Sequence, residues 1–141
     1  MLEVWLSAGS EPPAYEGQSW NENGRLTSLC FLCNINATDD SGNIIITTPT
    51  ISNIPSSIIN LDMLSTLRVY NCDLNPLPTE FYYLENLDTL HINYDNSFSS
   101  IPEEFCNLYQ NLDEFSFWSN KICGELPSCL QGVDIGTQNC P

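Results

Sequence analysis

The sequence predicts an α/β chain wound as a solenoid. It expects a parallel β-sheet on the concave face, short 3₁₀ or irregular segments on the convex face, and cysteine-bearing caps at the ends. Three observations carry this. An apolar pattern recurs from Leu64, Leu87 and Leu112, with starts 23 and 25 residues apart. Inside each copy apolar and polar residues alternate over a short stretch, the period of a strand with one buried face. Cys30, Cys33, Cys123, Cys129 and Cys140 lie towards the two ends of the repeating region.

The first full copy runs through Leu64, Leu67, Val69, Cys72, Leu74, Leu77-Pro78, Phe81 and Leu84. Leu87, Leu90, Ile92, Asp95, Ile101-Pro102, Phe105 and Leu108 repeat it, and so do Leu112, Phe115, Phe117, Asn120, Ile122, Leu126-Pro127, Leu130 and Val133. An earlier, imperfect copy reads Ile44, Ile46, Pro49, Ile51, Ile54-Pro55, Ile58 and Leu61, with Ser41 where the first leucine belongs. Each strand is expected to stack in parallel on its predecessor, because one copy alone cannot bury its apolar ladder. Cys72, Asp95 and Asn120 fall where the chain turns after the strand, where a short polar side chain can bond backbone groups that the turn leaves unpaired. The apolar-Pro steps favour extended or 3₁₀ backbone over a long helix.

This pattern, L-x-x-L-x-L-x-x-N/C-x-L followed by an apolar-Pro step, resembles the leucine-rich repeat. Residues 120–127, NKICGELP, are similar to the plant-type extracellular variant N-x-L-x-G-x-I-P. Two copies depart from it: residues 72–78 are one residue short and lack the glycine, and in 95–102 Phe98 is displaced by one. The resemblance covers residues 41–133, about four coils, and implies an N-terminal cap over 1–40 and a C-terminal tail over 134–141, its cysteines beginning at Cys123. In such a cap a short strand pairs against the first coil. Leu26, Leu29 and Phe31 offer a further degenerate coil, but only fifteen residues separate Leu26 from Ser41, so the cap is the preferred assignment. A brief helix is expected over residues 1–8, broken by Glu11-Pro12-Pro13.

Eighteen acidic residues against three basic ones give a net charge of −15. Arg25, Arg68 and Lys121 are too few to neutralise phosphates, which argues against nucleic acid and an anionic membrane as partners. No apolar run has the length of a transmembrane helix. Seven cysteines suit an oxidising compartment, and their odd number leaves at least one thiol free or paired between chains. Cys30, Cys33, Cys106, Cys123, Cys129 and Cys140 are the disulfide candidates, with the pairing open. Cys72 is expected to be free, because its repeat position needs no partner. Asn36-Ala37-Thr38 is a glycosylation sequon. Met1-Leu2-Glu3 lacks the basic start of a signal peptide, so a secreted chain requires a removed leader or a longer parent.

Catalytic chemistry is not indicated. A nucleophilic triad needs a histidine beside a serine or cysteine, and the sole His91 lies mid-strand. No carboxylate spacing singles out an acid–base pair, and no cofactor or metal is implied: Cys30-Phe31-Leu32-Cys33 lacks both a redox context and a second zinc-binding pair. Register instead gathers a face. Ile45, Arg68, His91 and Ser116 form one outward column, Thr47, Tyr70, Asn93 and Trp118 the next, and Thr48, Asn71, Tyr94 and Ser119 a third. Aromatic anchors among hydrogen-bonding neighbours suit recognition. The alternatives are that these aromatics only pack across strands, that the C-terminal cap covers Trp118, and that Arg68 and His91 only neutralise Asp88, Asp113 and Glu114. The expectation is a non-enzymatic, secreted or cell-surface module that binds a protein, peptide or glycan through Arg68, Tyr70, Asn71, His91, Asn93, Tyr94, Ser116 and Trp118. The rival is a coat or wall component that self-associates through disulfides and stacking. The resemblance implies protein or peptide recognition, as in plant receptor ectodomains and enzyme-inhibiting wall proteins; similarity to leucine-rich wall proteins of encysting protists keeps the glycan in view.

Overall fold

Four strands carry the alternation of the repeat and lie parallel: β2 (Leu26–Leu32), β5 (Thr66–Tyr70), β6 (Thr89–Asn93) and β7 (Glu114–Ser116). A short strand, β1 (Ser19–Trp20), adds antiparallel to β2, so the five-stranded sheet is mixed, in the order β1-β2-β5-β6-β7. The computed structural model describes residues 19–33, 36–38, 40–41, 44–47, 51–74, 76–95 and 97–141. The helix expected over residues 1–8 and its break lie outside them, as does Thr48. Among the described residues no helix is long and apolar enough to cross a membrane.

Parallel register puts like on like. Leu29, Leu67, Leu90 and Phe115 form one inward row, and Phe31, Val69 and Ile92 the next. Apart from Phe115, which is partly exposed, these side chains are fully buried. Each such side chain contributes about 1.5–3 kcal/mol through removal from water. The other wall of the core is built from short helical turns that follow the proline steps. Pro55, Pro78 and Pro127 hold extended backbone ahead of 3₁₀ turns at Ser56–Asn60, Thr79–Tyr83 and Ser128–Leu130. The copy with the longer interval makes an α-helical turn instead, α1 (Phe105–Tyr109). Ile58, Phe81, Phe105 and Leu130 point from these turns into the core.

The assignment at the N-terminal side is corrected. Ile44–Thr47 is a strand, β4, but it pairs antiparallel with β3 (Asn36–Thr38) in a separate two-stranded sheet. The place next to β5 is taken by Leu26–Leu32, which sequence reasoning assigned to the cap. The reason lies in the residues: Leu26, Leu29 and Phe31 complete the L-x-x-L-x-L set, whereas the copy at 41–61 has a serine for its first leucine. Only its second half behaves as expected, with Ile51, Ile54 and Ile58 buried. The sheet therefore starts upstream of residue 41, and Ile45 and Thr47 do not join its outward columns. Asn36 of the sequon lies in β3 rather than in a loop.

The turn edge of the sheet is closed by side chains. Asn71, Tyr94 and Ser119, each just past its strand, share left-handed backbone with φ of 56°, 59° and 57°. Their amides donate to Asn93, Trp118 and Thr137 carbonyls in the adjoining pass. The next position supplies the side chain. Asp95 Oδ2 accepts from Leu74 N at 2.7 Å, while Oδ1 accepts from Ser97 N and Phe98 N, both at 3.0 Å. Asn120 Oδ1 accepts from Asp95 N at 2.8 Å, and its Nδ2 donates to Ile92 O and Phe117 O at 2.7 and 3.0 Å. Both side chains are fully buried.

Cys72, at the corresponding position, is bonded to Cys33, which corrects the expectation of a free thiol there. The Cys33 amide donates to Tyr70 O and its carbonyl accepts from Asn71 Nδ2, so the two turns are already adjacent. Cys106–Cys129 and Cys123–Cys140 complete three disulfides. The free cysteine is Cys30. Three residues along a strand reverse the face, so Cys30 points outward while Cys33 reaches the turn edge.

Candidate functional site

The outward side of β2, β5, β6 and β7 aligns Cys30, Arg68, His91 and Ser116 in one column, and Leu32, Tyr70 and Asn93 in the next. Cys30, not Ile45, is thus the first member. Tyr70 Oη lies 3.1 Å from His91 Nδ1, the rings meeting edge to face at 6.5 Å. His91 Nε2 lies 2.8 Å from Glu114 Oε1 without making a directed hydrogen bond to it. His91 is therefore held between a phenol and a carboxylate, and among the described residues no serine or cysteine side chain meets either ring nitrogen.

The eight residues read as a face divide into three kinds. Asn93 and Asn71 serve the fold. Asn93 is 7% exposed and its Oδ1 accepts from Ser116 Oγ at 2.9 Å and Trp118 N at 2.7 Å. Asn71 Nδ2 is bound to Cys33 O. Ser116 belongs with them. Tyr70 and His91 form the half-buried centre, already paired with each other.

Arg68, Tyr94 and Trp118 are the open part. Among the described residues no carboxylate pairs with Arg68, although the chain carries eighteen acidic groups. Asp88 instead accepts from Thr89 Oγ1, and Glu114 lies against His91. Tyr94 and Trp118 are 55% and 56% exposed. The C-terminal tail touches Trp118 without covering it: Gly136, at φ +82°, lays its backbone against the indole, where an added Cβ would fall 2.4 Å from Cδ1.

Burial raises the Cys30 thiol above its ordinary value, against a smaller opposite pull from the Arg68 guanidinium. Burial likewise raises the Tyr70 phenol; Arg68 opposes, and Cys30 and Glu114 add to the rise. Both groups are therefore neutral around pH 7, which leaves Arg68 as the fixed charge of the column. Among the described residues no three histidine, cysteine or carboxylate side chains gather as a metal site. A planar guanidinium with two exposed aromatic plates can hold a carboxylate bidentately and pack an apolar side chain beside it.

No family model matches the chain, and no curated protein matches it.

Proposed function

We propose that the chain is a leucine-rich-repeat module of a secreted or cell-surface protein, which binds a protein or peptide through the outward sheet face without catalysis. The repeat reading is supported by strands stacked in register on a 23- and 25-residue spacing, as in Thr66 facing Thr89 and Thr89 facing Glu114. Further support comes from turn side chains that bond back to the preceding pass. Three disulfides suit an oxidising compartment. The observation that carries recognition is the exposure of Tyr94 and Trp118, which follow β6 and β7 at the turn edge of the sheet whose outward column holds Arg68, without a carboxylate partner among the described residues. Large rigid aromatics are poor surface residues for solubility and good anchors for a partner.

The coat reading is less well supported: the unpaired thiol, Cys30, is half-buried on the sheet face rather than presented for an inter-chain bond. The test is photo-crosslinking capture of a partner from culture medium by the wild type and by Tyr94→Ala with Trp118→Ala. Loss of the captured species at unchanged melting temperature supports the reading. Equal capture by the double variant defeats it.

A further inference from the structure

The opposite side of the molecule carries an aromatic group that the repeat does not use. Tyr83 closes the second 3₁₀ turn and is 52% exposed, while its neighbour Tyr82 is buried at 4%. The ring stands between two shallow depressions. One, of about 180 Å³, lies towards the first 3₁₀ turn and includes Asp62, Glu85 and Asn86. The other, of about 200 Å³, lies towards α1 and includes Asn107, Gln110 and Asn111. Tyr83 and Glu85 line both.

The chemistry of this wall is specific. Asn86 and Gln110 each donate one amide proton to the backbone, to Asp62 O and Asn107 O, which fixes their planes and leaves their oxygens as acceptors. Among the described residues the side chains of Glu85, Asn107 and Asn111 have no hydrogen-bond partner. No basic side chain lines either depression, so anionic ligands are disfavoured. Asp62 is engaged by Arg25, which leaves Glu85 as the one free carboxylate against four amides. Tyr82, whose phenol is pushed up to about 12 by burial and then by the nearby Glu104 carboxylate, also lines the second depression. A partner that brings one flat apolar face and many hydroxyls matches an aromatic plate ringed by amides.

We propose that the two depressions are adjoining subsites for a neutral oligosaccharide, with one sugar ring stacked on Tyr83 and its neighbours hydrogen-bonded by Glu85 and the amides. This site does not depend on the sheet face and is separated from it by the core. Binding is weak per sugar because the depressions are shallow, and it strengthens on polymers that present many equivalent units.

The experiment is native affinity electrophoresis of the full chain in gels that each contain one neutral polymer: hydroxyethyl cellulose, xyloglucan, glucomannan or laminarin. The expected result is retardation by at least one polymer, little changed by added salt. Tyr83→Ala is expected to weaken it about tenfold, while Tyr94→Ala and Trp118→Ala leave it intact. Absence of retardation by all four polymers overturns the proposal, as does full retardation of Tyr83→Ala. Retardation that follows Trp118 also overturns it and moves the sugar to the sheet face. Salt-sensitive binding of polylysine that depends on Glu85 and displaces the polymer identifies a cation site instead and overturns it as well.

Discussion

The turn edge of the sheet is closed differently at its two sides, although the backbone need is the same. Between β2 and β5 a covalent bond, Cys33–Cys72, ties adjacent turns. On the other side Asp95 and Asn120 do it with hydrogen bonds, satisfying Leu74, Ser97, Phe98, Ile92 and Phe117 backbone groups. The disulfide acts chiefly by restricting the unfolded chain and leaves the polar groups to other partners. The hydrogen-bonded side acts on the native state alone, by removing an otherwise unmet desolvation penalty. One position in the repeat therefore accepts two chemistries, and they differ in what disturbs them: reductant for the first, deletion or titration of a carboxylate for the second.

The largest effect is expected on the polar side. Asp95→Ala leaves the Leu74, Ser97 and Phe98 amides without an acceptor in the core, and should cost about 4 kcal/mol. Urea unfolding with an unchanged m-value measures it. Replacing Cys33 and Cys72 together by alanine should cost about 3 kcal/mol. Unlike Asp95→Ala, this double variant should lose part of the wild type's sensitivity to dithiothreitol. If the cysteine pair proves the costlier loss, the covalent tie rather than the polar ladder dominates the edge.

How much of this was legible follows from the residues. The parallel register of β5, β6 and β7 was readable because each copy repeats three apolar anchors at fixed spacing. The turn roles of Asp95 and Asn120 followed from that register. The first strand was missed because spacing was weighed above pattern: Leu26, Leu29 and Phe31 hold all three anchors, whereas Ser41 breaks the copy after it. With Leu26–Leu32 read as a strand, its period of two would also have separated Cys30 from Cys33 and marked Cys33 as the bridging one. Asn93 misled for another reason. A polar residue in an outward column looks available for a ligand, and only coordinates reveal that the Trp118 amide occupies its oxygen. Tyr83 gave no signal at all, since nothing in the repeat says which residues of the 3₁₀ turns stand clear of their neighbours.

The same contrast between engaged and open groups operates within the sheet face. Asn93→Ala should cost about 2 kcal/mol, because it strands the Trp118 amide and frees Ser116 Oγ in a part-buried site. Arg68→Ala, with no carboxylate to abandon, should stay within about 0.5 kcal/mol. Thermal unfolding of the two variants side by side checks this. Equal losses would mean that Arg68 has a structural partner and is not a free anchor.

The smallest effect concerns pH, and its sign runs against most carboxylates. Burial raises the Asp95 carboxyl above its ordinary value, the three amides pull it down less, and Asp73 adds to the rise. Between the ordinary carboxylate value and that raised one, the native state holds a proton that the unfolded chain does not. Stability therefore increases as pH falls through this window. Repulsion within a chain of net charge −15 pushes the same way. Glu103 opposes them only at lower pH. Donation from Ser128 N and Oγ holds its carboxyl below the ordinary value, so its contribution is present above that value and lost on further acidification. The urea midpoint should thus rise as pH falls towards the carboxylate range and fall again below it. High salt should remove the repulsion and leave the part due to Asp95; Asp95→Asn should remove that part and leave the repulsion. If Asp95→Asn shows the same salt-independent rise as the wild type, the buried carboxyl is not its source, and the polar side of the turn edge would lose its distinguishing sensitivity.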